Sequence, residues 1–205
     1  MVTLYKLTDE RAQTRNNTQW GEGIAHTTSG EGKLCGPGWL HAYTDPLLAI
    51  LLNPIHAAFK TPRLWIAEGV VGITDGLKVG CTYLRTVHEI PLPQVLSAQR
   101  VYFAIACAKA SGVAQPVWLA WAVGWVSGRD RSATAAGAAY LTAGCQPGVA
   151  SCVTWAVDTS DPEASSWWTA QAAQEAAMMA GAGVVIDFLR LAHEAFEWQE
   201  GVTSC

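Results

Sequence analysis

Charge is scarce in this chain: 15% of its 205 residues are Asp, Glu, Lys or Arg, against 50% hydrophobic. That balance excludes a disordered chain and supplies enough apolar side chain for a buried core. A basic footprint is also missing. Residues 1–96 carry eight Lys/Arg and eight Asp/Glu, whereas residues 97–205 carry five against nine, so the net charge of -4 lies in the second half. Non-specific nucleic-acid binding runs on counterion release by clustered cations and is not expected here. The longest apolar runs, residues 47–52 and 117–126, fall well short of the roughly 18 residues a membrane span needs. Met1 is followed by a polar stretch of mixed charge and not by an apolar leader, so the expected address is cytoplasmic, with no membrane partner.

Several chemical signatures are absent as well. The six cysteines (Cys35, Cys81, Cys107, Cys145, Cys152, Cys205) contain no Cys-x-x-Cys pair, and their only short spacings to histidine are Cys35 to His41 and Cys81 to His88. Without an export signal they are expected to stay reduced, acting as small buried hydrophobes. No metal and no cofactor is expected. There is no Gly-x-Ser-x-Gly, no His-Glu-x-x-His and no glycine-rich phosphate loop leading into a helix.

What is present divides the chain. Residues 2–7 alternate as a short strand, and a polar stretch over residues 8–33 is expected to hold a hairpin around residues 20–28. Gly36-Pro37-Gly38 is turn chemistry. Trp39, His41 and Tyr43 follow two residues apart, so an extended backbone projects all three from one face as a candidate ligand surface. Arg85 and Glu89 are their candidate polar neighbours. Thr44-Asp45-Pro46 starts a helix, with Asp45 as cap and Pro46 at the first position, and Asn53-Pro54 ends it near residue 52. Residues 64–73 and 77–90 read as strands joined by Asp75-Gly76, the pair that a tight two-residue hairpin prefers. On the second strand Cys81, Tyr83, Arg85 and Val87 should share one face.

Pro91-Leu92-Pro93 then stops the strand, which sets a small β-rich domain at residues 1–93 and an α-helical bundle at residues 94–205. The fold class is α+β. In the second domain Ser97, Pro116, Asp130 and Asp161-Pro162 each open a helix, and the last segment is expected to reach residue 199, kinked or split at Gly181 and Gly183. Trp118, Trp121 and Trp125 fall at i, i+3 and i+7 and read as core. Trp167-Trp168 cannot both face one core from a helix, so one should be exposed or meet the β-rich domain.

The order LCGPGWLHAYTDPLLAILLN, RLWIAEGVVG and LKVGCTYLRTVHEIPLP, over roughly the first half of the chain, resembles a domain that recurs in bacteriophage and prophage proteins. That domain carries no established chemistry. The resemblance implies a non-enzymatic accessory protein, acting in the host cytoplasm, that binds a host protein or a small molecule and counters host defence. A short first strand, a glycine-framed aromatic strand, an Asp-Pro helix and paired strands are also similar, more distantly, to ADP-ribosyltransferases. This second resemblance implies an NAD cleft in which Tyr43 stacks on nicotinamide and Glu89 supplies the catalytic carboxylate. The chain departs from it at Lys6, where those enzymes carry histidine or arginine.

Overall fold

A computed structural model describes residues 1–142, 148–180 and 185–199. The chain is α+β and forms two compact units, Met1–Gln94 and Val95–Cys205.

In the first unit β1 (Val2–Thr8) pairs antiparallel with β6 (Arg63–Thr74), and β6 pairs antiparallel with β7 (Val79–Ile90). The other edge of β7 takes β4 (Ala25–Thr27) and β5 (Leu40–Ala42). Just past β5, Tyr43 exchanges two backbone hydrogen bonds with Tyr5 of β1, at 2.8 and 2.9 Å. The sheet therefore returns from β5 to β1 and closes on itself. Leu4, Trp20, Ala42, Ala67, Val79, Cys81 and Leu84 fill its interior.

Four local expectations are corrected here. The hairpin in the polar stretch lies earlier, between β2 (Gln13–Thr14) and β3 (Thr18–Gln19), across a single 3-10 turn (Arg15–Asn17). Residues 25–27 are instead spent on β4. Asp75 and Gly76 do not form a two-residue turn: residues 75–78 connect the paired ends Thr74 and Val79. The Asp75 carboxylate accepts the N–H groups of Leu77 and Lys78 at 3.0 and 2.9 Å, and Leu77 turns inward to only 1% exposure. Burying that leucine favours the wider loop. Strict alternation along β7 also fails, because the register with β6 slips between Val70 and Val71. The extra residue, Thr82, lets both Cys81 and Leu84 face inward, as a β-bulge does. Finally, α1 (Pro46–His56) runs through Pro54. Its start is as expected, with Asp45 Oδ1 accepting the Leu47 N–H at 2.7 Å. A proline in the last turn removes one bond near an end that Asn53 already ties down, through its carbonyl to Ala57 and its side-chain amide to Phe59.

The second unit contains α2 (Ser97–Ala110), α3 (Pro116–Val126), α4 (Ala133–Thr142), α5 (Val149–Asp158), α6 (Pro162–Ala180) and α7 (Phe188–Glu197). α2 packs against α5, α6 and α7, α5 against α4 and α6, and α3 against α4. Buried alanines at 104, 108, 136, 139, 170, 172, 173 and 176 let the helices approach closely. Trp118, Trp121 and Trp125 are buried, as their spacing indicates. Trp167 is exposed, whereas Trp168 packs on Trp155 with ring centroids 4.5 Å apart. Two caps differ from expectation. Leu96 precedes α2, and its N–H is taken by the Gln99 side chain at 2.9 Å. Ser132 caps α4, accepting the Ala135 N–H, while Asp130 folds the preceding turn by accepting from Ser132. The long last segment is split into α6 and α7, and α7 has its own cap in Asp187, which accepts the Arg190 N–H. Gly181 and Gly183 lie outside the described residues.

Candidate functional site

Trp39, His41 and Tyr43 are each engaged by internal contacts. Trp39 donates its indole N–H to the Gly32 carbonyl at 3.0 Å, and its ring lies against Gly72. A Cβ on Gly72 would come within 2.5 Å of that ring, so glycine is what lets it seat there. His41 donates from Nε2 to the Leu34 carbonyl. Burial holds its imidazole below the ordinary value, opposed by that carbonyl and reinforced by the charges of Lys6 and Lys78. Tyr43 is buried as well, its ring stacked on His56 of α1. Burial raises its phenol well above the usual range.

These groups belong to an internal polar network. The Tyr43 hydroxyl lies 3.2 Å from His56 Nδ1, with the two rings stacked, and His56 Nε2 lies 3.1 Å from Lys78 Nζ. Lys78, buried like Lys6, also reaches Asp75 at 3.7 Å. An ammonium at Lys78 donates, so His56 accepts at Nε2 and carries its proton on Nδ1, from which it donates to Tyr43. Lys6 donates to the His41 carbonyl at 2.7 Å and sits 4.8 Å from the Trp20 ring centre. Burial brings its ammonium down to about 8. Cys81, inside the same closed sheet, is pushed up to about 11 by burial.

Arg85 and Glu89 lie apart from this network. Arg85 is exposed, opposite Glu68 on β6 and Ala25 on β4. Glu89 takes a two-point ion pair from Arg63, whose guanidinium in turn covers the Trp65 ring. His41 faces Gly80 across β5 and β7. From there to Glu89 is nine residues along the strand, a separation of roughly 30 Å at about 3.3 Å per residue. Ring stacking at Tyr43 and a carboxylate at Glu89 are thus not brought to one cleft. Among the described residues no three His, Cys, Asp or Glu side chains gather as a metal site.

A concave surface lies elsewhere, between α3 and α4. It is a groove of about 720 Å³ walled by Val117, Trp121 and Val123 from α3 and by Ala135, Ala138 and Ala139 from α4, with Arg129 and Asp130 at the connecting turn. Neither helix carries a charged residue, and Val117 and Val123 are about half exposed, at 48% and 52%. Trp121 contributes its ring to the wall, and its buried indole N–H has no acceptor among the described residues. The sequence did hold a signal for this face. With its tryptophans committed to the core, α3 still carries valine and alanine at 117, 120 and 123, which makes it apolar all round. No protein-family model, curated protein or solved structure matches the chain.

Proposed function

We propose that this protein is a non-enzymatic accessory protein of phage or prophage origin that binds a host protein and thereby counters host defence. The observation that carries the binding role is the largely apolar groove between α3 and α4. Half-exposed valines over a tryptophan wall remove apolar surface from water when covered, at roughly 25 cal/mol per Å². The phage origin is supported by the pattern shared over residues 34–93. Against a catalytic role stands the use of His41, Tyr43 and Glu89 in internal hydrogen bonds and an ion pair at separated places.

The test is affinity purification from bacterial lysate with the wild type and Val123→Glu, followed by reciprocal capture with the candidate partner. Position 123 is half exposed, so the substitution should change stability by no more than about 0.5 kcal/mol while placing a charge in the groove. A host protein held by the wild type and lost by the variant supports the reading. Equal retention by both removes the groove from it.

A further inference from the structure

Trp198 follows α7 directly and stacks on rings from two other helices. Tyr102 of α2 lies at 5.2 Å between ring centroids and Trp125 of α3 at 5.8 Å, with interplanar angles of 28° and 25°. The Gln99 side chain secures this end of the chain by donating to the Phe196 carbonyl at 2.6 Å. Arg131 covers the Trp125 and Trp198 rings together. Its guanidinium carbon is 4.9 Å from one ring centre and 5.1 Å from the other, and its Nε donates to the Trp125 carbonyl at 2.9 Å. A guanidinium is attracted by the face of each ring, so the two tryptophans hold it jointly. Arg131 also belongs to the turn that joins α3 to α4. Its neighbours Arg129 and Asp130 stand at the end of the groove, and both return their backbone N–H groups to the carbonyl of Gly124, at 3.0 and 3.4 Å. Gly124 itself lines the groove.

We infer that Trp198 is a positioning residue for the groove: its ring helps to hold Arg131, and through Arg131 it fixes the α3–α4 turn against the end of α3. With Trp198 docked, the groove has a defined end. With Trp198 displaced, Arg131 loses one of its two ring faces, the turn loosens and the two walls lose their fixed spacing. α3 packs mainly on α4, so this contact is what ties the pair to α2 and to the end of α7. The end of α7 thereby controls a surface to whose walls it contributes no residue. The consequence for partner binding rests on the groove being the contact site, whereas the hold on the turn does not.

Amide hydrogen exchange of the full chain tests this at Arg129, bonded to Gly124, and at Ala136, bonded to Ser132 in the first turn of α4, with buried Val153 of α5 as the internal reference. Trp198→Ala should speed exchange at Arg129 and Ala136 at least about tenfold and leave Val153 unchanged. Trp198→Phe keeps a ring face and should restore most of the protection. Arg131→Met should give the same local pattern, and adding it to Trp198→Ala should change little further, because both remove one shared contact. In the lysate capture, Trp198→Ala should lose the host protein that Val123→Glu loses. A proportional rise at all three amides would make Trp198 an ordinary core ring and overturn the inference. So would unchanged exchange at Arg129 and Ala136, failure of the phenylalanine to restore protection, additive effects of the two substitutions, or retention by Trp198→Ala of a protein that Val123→Glu loses. Exchange is read without a partner, so a negative result there leaves the groove reading standing, and equal capture by wild type and Val123→Glu leaves exchange to decide the role of Trp198.

Discussion

The two units of this chain treat polarity in opposite ways. The β-rich unit takes charges inside: Lys6 and Lys78 are both buried, one held by a carbonyl and a tryptophan face, the other by His56 and Asp75. The helical unit leaves apolar side chains outside: between Ala110 and Val157 the only charged residues are Arg129, Asp130 and Arg131, and Val117 and Val123 stand at the surface. A buried charge with dedicated partners is a feature of internal architecture, whereas an exposed apolar groove has no internal use. The difference therefore sends structural roles to the first unit and contact to the second.

The sharpest way to strain this contrast is to remove a ring from beneath the groove. Trp118 is fully buried, and Trp118→Ala should cost about 3–5 kcal/mol in urea unfolding, because the void cannot close within an alanine-rich bundle. Little or no loss would place that ring outside the core and break the division between core and contact residues.

A second test concerns the buried lysine. Its folded-state value of about 8 lies below the ordinary 10.5, so the penalty on its charged form is fully present below pH 8 and is relieved as pH rises towards 10.5. Cys81 works in the other direction, its thiol being about 11 when folded against an ordinary 9, so its contribution is lost only above pH 9. Between pH 8 and 9 the lysine acts alone, and stability should rise with pH, by an amount on the order of 1 kcal/mol. Lys6→Met should flatten that rise. A flat profile in the wild type would mean that Lys6 is solvated, and the contrast between the units would lose its main support.

The smallest effect is expected at the surface. Arg63 and Glu89 form an ion pair exposed to solvent, and Glu89→Ala should leave the unfolding midpoint and any biological effect unchanged. Loss of the biological effect with stability intact would return Glu89 to the list of functional residues.

Much of the architecture was legible in local chemistry. Asp45-Pro46 announced α1, the tryptophan spacing at 118, 121 and 125 announced a buried helix face, and paired apolar runs announced β6 and β7. Legibility failed where tertiary packing chose between local alternatives. Thr82 becomes a bulge because the closed sheet needs both Cys81 and Leu84 inside, and periodicity alone cannot anticipate an inserted residue. Tyr43 has the spacing of a surface triad, yet His56 of α1 covers it. The polar candidates were chosen for chemical type, and their partners, Leu34, His56 and Arg63, come from other parts of the chain. The groove was overlooked because the tryptophans of α3 read as core, although the same helix is apolar on every face.

The central claim is that contact belongs to the α3/α4 groove and not to the polar residues of the β-rich unit. Site-specific photo-crosslinking in bacterial lysate addresses it directly, with the probe at position 123 in one sample and at position 89 in another, both positions being exposed. The account predicts a discrete adduct with one host protein from position 123 and none from position 89. An adduct from position 89 with none from position 123 would contradict it.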